Sequence, residues 1–143
     1  MLVMQLSVFL ENRVGRLNEI LSILSNNNIN IRALSLAEKS DYGVLRLIVQ
    51  DTDKAVEVLK KANVSVNLTP VMAAEVTDKP GGLLDIMEYL KNNNINVEYM
   101  YAFVEKSEDK AVVVIRVEET EEAEKILKEK SVKLLNKEDI ERI

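Results

Sequence analysis

The chain has 143 residues, a formal net charge of −5, and neither cysteine nor histidine. Disulfides, iron–sulfur clusters and thiol chemistry are therefore excluded, the commonest general base and metal ligand is missing, and no cofactor is expected. The negative charge argues against nucleic-acid binding. Because the sequence shows neither an apolar run of about 18 residues nor the marks of a signal peptide, we expect a cytoplasmic protein that does not enter membranes.

The first half of the chain predicts a βαββαβ order. Leu17, Ile20, Leu21 and Leu24 have the spacing of one apolar helix face, and the strands are rich in β-branched residues. The elements in chain order are a strand at 5–10, this first helix, strands at 29–37 and 44–49, a helix at 53–62 and a closing strand at 64–68.

The second half repeats the first. The pentapeptide NNNIN occurs at 26–30 and again at 92–96, and the apolar helix stripe recurs at the same offset of 66. After two extra residues in the turn Lys106–Lys110, strands are predicted at 111–117 and 132–135 and a helix at 120–130. Earlier strands of this half are predicted at 72–76 and 95–104. The sequence therefore predicts two repeats, 1–70 and 71–143, with almost no linker and packed side by side.

Each repeat is expected to form a ferredoxin-like α+β unit, an antiparallel sheet with both helices on one face. The third strands are apolar on both sides, so we expect a second chain to cover the other sheet face in a homodimer. The tail 136–143 predicts one more helical turn.

A polar loop precedes the first helix of each repeat, NRVGRL at 12–17 and DKPGGL at 78–83. Asn12 and Asp78 are candidates either for helix capping or for ligand contact. The asparagine runs are predicted to end the helices in a left-handed conformation, and Asn30 and Asn96 to begin the next strand.

Several activities are known for proteins with βαββαβ units, and the sequence lacks the side chains that most of them need. The third strands lack the aromatic side chains that stack on RNA bases, and metal carriers of this shape need a cysteine pair. A phosphatase would need an anion-binding arginine loop, which only the first repeat offers, at Arg13 or Arg16.

The loop, the helix and the Asn-Ile-Asn that enters the second strand resemble those of the ACT domain, and both repeats carry all three at equal spacing. The whole chain resembles the stand-alone tandem ACT proteins. The resemblance implies a non-catalytic regulatory module that binds a free amino acid and signals through its oligomer or through a partner such as a metabolic enzyme. Two alternatives remain: a structural docking subunit of such an enzyme and a small acyl-phosphate hydrolase.

In this family the ligand lies at the junction of two units, held by the loop of one and the second strand of the other. Backbone N–H groups at a helix N-terminus suit a carboxylate, and an asparagine amide can bind either end of an amino acid. The residues implied are Asn12, Arg13, Gly15, Arg16, Leu17, Asn30, Asp78, Gly81, Gly82, Leu83 and Asn96. Because the two loops differ in charge, the two sites should not be equivalent. The sequence therefore fits one bound ligand per chain as well as it fits two.

Overall fold

A computed structural model of the protein describes residues 2–104 and 109–143. Most of the turn at 106–110, where the sequence places the two inserted residues, therefore lies outside the described residues. The chain forms two compact units: a first unit, Met4–Thr69, and a second unit, Pro70–Ile143 together with the first residues of the chain.

The βαββαβ order predicted for each repeat is confirmed. The first repeat contains β1 (Val3–Glu11), α1 (Arg16–Asn26), β2 (Ile31–Lys39), β3 (Tyr42–Val49) and α2 (Thr52–Lys61). β4 (Val66–Thr77) contains the boundary between the units. The second repeat continues with α3 (Gly82–Asn92), β5 (Val97–Ala102), β6 (Lys110–Val117), α4 (Thr120–Glu129) and α5 (Lys137–Arg142).

The middle strand of each unit pairs antiparallel with both of its neighbours. β3 lies between β2 and β1, and β6 lies between β5 and β4. Leu6 and Leu47 pair across β1 and β3 and are fully buried, as are Met72 and Ile115 across β4 and β6. These residues belong to the core between each sheet and its helices, as period-2 alternation predicts.

The closing strands differ from the prediction. The segments predicted separately at 64–68 and 72–76 run together in the single strand β4. In the second unit, the predicted strand 132–135 is reduced to one bridge, between Ala74 and Leu134. The strand stops there because Asn136 begins α5, where its side chain and that of Asp139 form a capping box.

The NNNIN repeats end α1 and α3 as predicted. Asn28 and Asn94 adopt left-handed φ values of 56° and 59°. The N–H of the following isoleucine donates to the carbonyl five residues earlier, at 3.0 Å for Ile29 and 2.9 Å for Ile95. This pattern is a Schellman motif, and the buried isoleucine supplies its apolar contact with the core.

Candidate functional site

The loops that lead into α1 and α3 have the same backbone conformation. Gly15 and Gly81 are the N-cap residues, and each has φ 87° and ψ −11°, a left-handed conformation that favours glycine. Within the described residues, neither helix receives a side-chain cap hydrogen bond. Of the two alternatives for Asn12 and Asp78, helix capping is therefore wrong, because each residue lies three positions upstream of the N-cap, and ligand contact stays a prediction.

Asn12 instead ties the first loop to the turn between β2 and β3. Its Nδ2 donates to Glu38 Oε1 at 2.9 Å and to the Ser40 carbonyl at 3.1 Å. Its backbone N–H donates to the Asp41 carbonyl at 2.9 Å, as that of Asp78 does to Asp109 at 2.7 Å. The backbone contact is thus common to both repeats.

The two arginines of the first loop are engaged in ion pairs. Arg13 contacts both carboxylate oxygens of Glu19, each at 3.2 Å. Arg16 donates to Glu19 at 2.9 Å, and its Nε lies 3.6 Å from Glu11. Hydrogen bonds from Arg16 and then Arg13 lower the pKa of Glu19, while its hydrogen bond and charge raise the pKa of Arg13. The positive charge of this loop is therefore largely balanced internally.

The second loop does not contain the residues that form these arginine ion pairs. Gly82 stands at the repeat position of Arg16, Lys79 at that of Arg13, and Asp85 at that of Glu19. A Cβ atom at Gly82 would collide with the carbonyl oxygen of Thr77, so the backbone approach here requires glycine. Gly82 lines a cavity of about 330 Å³ in the second unit.

Leu17 and Leu83, also predicted site residues, turn their side chains toward the cores. Each is half-buried and packs against the core cluster of its unit. Both lie in the first turn of a helix, where backbone N–H groups have no partner within the helix. A ligand at either helix N-terminus would therefore meet the backbone N–H groups of these leucines.

Asn30 and Asn96 are exposed, but neither lies near the loop of its own repeat. The carbonyl of Asn30 accepts from Gln50, just beyond the end of β3, whereas Asn12 lies beside Asp41, just before its start. With a rise of about 3.3 Å per residue, the length of β3 separates these positions by more than about 20 Å. No site within one repeat can therefore include both the loop and this asparagine.

Sequence reasoning missed the acidic residues that surround the loops: Glu11, Glu19 and Glu38 in the first unit and Asp85 in the second. The spacing of Arg16 and Glu19, three apart at the start of a helix, is a signal that indicates their pairing. Glu38 and Asn12 are 26 residues apart, so no local sequence pattern predicts their contact.

Two further findings concern the part of the chain that the structure describes. No group of three or more acidic side chains is arranged to hold a metal ion there. Among the described helices, none is both long and apolar enough to cross a membrane.

Two ferredoxin-like repeats with matched loops define the class of protein, and sequence comparison gives the family. The family model described as an ACT domain pair matches residues 1–143, so the chain belongs to the ACT domain pair family. No protein of curated description matches the chain.

Solved structures are similar over most of the chain. A protein from Bacteroides thetaiotaomicron is 40% identical, with a TM-score of 0.94 and coverage of 100% of this chain and 98% of that one. The ligand-free regulatory subunit of aspartate kinase from Thermus thermophilus is 15% identical, with a TM-score of 0.63 and coverage of 88% and 90%. E. coli aspartokinase III in complex with lysine and aspartate is 15% identical, with a TM-score of 0.53 and coverage of 90% and 30%. The last two likenesses show the fold alone.

Proposed function

We propose that the protein is a non-catalytic regulatory module that binds a free amino acid and signals through its oligomer or a partner. The observation that carries the proposal is the pair of matched helix N-termini behind Gly15 and Gly81, which receive no side-chain cap among the described residues. The free N–H groups and positive dipole end of such a helix stabilise a carboxylate. Membership of the ACT domain pair family and the amino acids in the E. coli aspartokinase III complex support this choice of ligand.

Asn30 and Asn96 are proposed to complete the site. Both side chains are exposed at the start of the second strand of their repeat, and an amide can bind either an ammonium or a carboxylate group. Because each asparagine lies at the far end of its sheet from its own loop, a ligand that contacts both elements needs two repeats.

The ion pairs of the first loop argue against the acyl-phosphate hydrolase. Such an enzyme would need Arg13 or Arg16 to hold a phosphate, but both are committed to Glu19, at 3.2 Å and 2.9 Å. Hydrolysis of acetyl phosphate by the wild-type protein, lost in Arg13→Ala, would overturn the non-catalytic proposal.

A thermal-shift screen against the twenty amino acids tests the function directly. A ligand present at 100 times its dissociation constant stabilises the folded state by about 2.7 kcal/mol, which shifts the melting temperature measurably. We expect one amino acid, or a few of similar chemistry, to give this shift. Absence of a shift with all twenty would instead support a docking subunit that binds nothing small.

Variants of the asparagines test their place in the site. We expect Asn30→Ala or Asn96→Ala to lower affinity for that amino acid by about tenfold, the loss of one hydrogen bond to a charged group. The matched control is Asn92→Ala, an exposed asparagine at the end of α3. Normal binding in both variants, measured by calorimetry, would remove these residues from the site.

An exposed aromatic patch on the first unit supports a homodimer. Phe9 and Tyr42 lie on the sheet face opposite the helices and are 42% and 46% exposed. The residues at these repeat positions in the second unit are Glu75 and Lys110, which line a cavity with residues of α5. We propose that a second copy covers the patch, since exposed aromatic clusters are costly in a monomer.

Light scattering of Phe9→Glu tests the homodimer, because this variant places the second repeat's own residue in the patch. We expect a dimer in the wild type and a monomer in the variant. A wild-type monomer at every practical concentration would contradict the proposal.

A further inference from the structure

A cavity of about 510 Å³ opens beside Asn30 in the first unit, between the end of α1 and the start of β2. None of the described residues that line it is charged, unlike the cavities of the second unit, which Glu75 and Lys110 line. Its lining consists of four apolar and three neutral polar residues: Leu21, Leu24, Ile29 and Ile31, and Ser25, Asn28 and Asn30. The surroundings of this strand-start asparagine are therefore electrically neutral.

The cavity has an apolar wall that is not fully used by the core of the unit. Leu24 and Ile29 are only 1% and 5% exposed and belong to the core. Leu21 and Ile31, however, are half-buried, so each keeps apolar surface beside the cavity. Small-molecule sites are typically apolar, with a few polar groups that orient the ligand. The exposed amide of Asn30 is such a group here.

The loop that another repeat would bring to this asparagine adds no unbalanced charge. In the first loop, the two arginines are paired with two glutamates, as described above. The second loop carries one charge of each sign, on Asp78 and Lys79. Asp85, in the first turn of the following helix, lines a cavity of its own unit. The proposed site is therefore neutral on the side of the loop as well as on the side of the strand.

We infer that this cavity holds the side chain of the bound amino acid, and that the ligand has an uncharged, aliphatic side chain. The inference rests on the proposed amino-acid binding and names the class of ligand. The ligand's carboxylate meets the helix N-terminus of another repeat, the amide oxygen of Asn30 accepts from its ammonium group, and its side chain lies against Leu21 and Ile31. A charged side chain there would lose water without gaining an ion pair, which is unfavourable.

The second repeat differs from this arrangement at one lining position. It has Lys91, an exposed residue in the last turn of α3, at the repeat position of Ser25. Met87 and Val97 are apolar like the residues they correspond to, Leu21 and Ile31. A single side chain thus distinguishes a neutral lining from a charged one, and Ser25 is the residue whose replacement tests the inference.

The thermal-shift screen of the wild type gives the first test. The free amino acids leucine, isoleucine and valine should raise the melting temperature more than free aspartate, glutamate, lysine and arginine at equal concentration. A charged amino acid with the largest shift would overturn the inference, while amino-acid binding would stand. If none of the twenty gives a shift, the proposed function fails and the inference fails with it.

Ser25→Asp tests the place of the ligand's side chain. Calorimetry with the aliphatic amino acid that gives the largest shift should show a loss of affinity of about tenfold or more, because the new carboxylate lies in the apolar cavity. Ser22→Asp is the matched control, since Ser22 is an exposed serine of the same helix outside the cavity lining. Equal affinity in these two variants would overturn the inference.

A second pair of variants covers the case that a carboxylate near the C-terminus of α1 weakens the helix. Ser25→Lys introduces the residue of the second repeat, and a cation suits a helix C-terminus. It should lower affinity for the aliphatic ligand by about tenfold relative to its control, Ser22→Lys. In addition, Ser25→Asp should bind free lysine or arginine more tightly than the wild type does, a change that a merely structural effect would not produce. Equal ligand affinity in the two lysine variants would contradict the inference.

Discussion

The two repeats share the backbone conformation of the glycine before the first helix and of the asparagine after it, but they differ in the side chains that surround the loops. Gly15 and Gly81 have the same φ and ψ, and Asn28 and Asn94 differ in φ by only a few degrees. The ion pairs around Arg13 and Arg16, however, have no counterpart among the described residues of the second loop. The comparison teaches that the glycine and asparagine positions maintain the fold of the repeat, whereas the charged positions between them differ and give arginine ion pairs in the first loop only, among the described residues.

The repeats differ also on the other sheet face. The second unit continues into α5, where Asp139 and Arg142 share a cavity with Glu75 and Lys110. The first unit has Phe9 exposed at the position of Glu75. In the second unit, residues of α5 lie beside this face, and the expectation of a second chain over the face stays a prediction. Partner binding is accordingly expected to concentrate on the first unit.

The largest effect is expected at Gly82, where the first repeat has Arg16. Gly82→Ala places a Cβ against the carbonyl oxygen of Thr77, so the N-terminus of α3 must shift. We expect a loss of about 3 kcal/mol in the free energy of unfolding, measured by urea denaturation. Arg16→Ala is the matched control, since that position already carries a Cβ. An equal loss in both variants would show that the close approach is not what distinguishes the second repeat.

The next effect should be equal in the two repeats. A Cβ at Gly15 or Gly81 would meet nothing within 4 Å, so only the φ of 87° opposes substitution. Gly15→Ala and Gly81→Ala should each destabilise the protein by about 1–2 kcal/mol, the cost of a left-handed conformation for alanine. Urea denaturation of both variants checks this prediction. Unequal losses would mean that the two loops do not share one backbone conformation.

A smaller effect should be confined to the second unit. Asn136 caps α5, because its side chain accepts a hydrogen bond from the Asp139 N–H at 2.8 Å. The carboxylate of Asp139 in turn accepts one from the Asn136 N–H at 2.9 Å. Asn136→Ala should cost about 1 kcal/mol. Hydrogen exchange should speed up in α5, whereas β3 of the first unit should keep its protection. Faster exchange in both units would contradict a local role for the cap.

The sequence predicted what depends on local pattern. The helix stripes, the two repeats and the left-handed asparagines follow from residue spacing and backbone preference, and the structure confirms them. The wrong caps and the shortened closing strand share a cause. Both depended on competition between nearby residues. Gly15, and not Asn12, became the N-cap of α1. The cap at Asn136 began a helix where further strand pairing was predicted. The charged surroundings of the loops were missed because Glu38 and Asp85 reach them only through the fold.

The smallest effect concerns pH and tests whether the first loop is closed by charge. The pKa of Glu19 is lowered from its ordinary value of 4.5 by hydrogen bonds from Arg16 and then Arg13. A carboxyl whose pKa is lowered in the folded state stabilises that state above its unfolded pKa and loses this contribution as the pH falls through the folded pKa. The pKa of Arg13 is raised by its hydrogen bond to Glu19, so Arg13 stays protonated throughout, and the titration of Glu19 determines the direction.

Glu19→Gln should therefore be less stable than the wild type near neutral pH, and the difference should shrink as the pH falls below 4.5. Urea denaturation at low salt, from neutral pH to about pH 3, measures this difference, and added salt should reduce it because the pairs are exposed. Asp85→Asn is the matched control in the second repeat, since Asp85 has no arginine partner among the described residues. A stability difference for Glu19→Gln that stays constant across this range would mean that the arginines do not hold the first loop closed through this carboxylate.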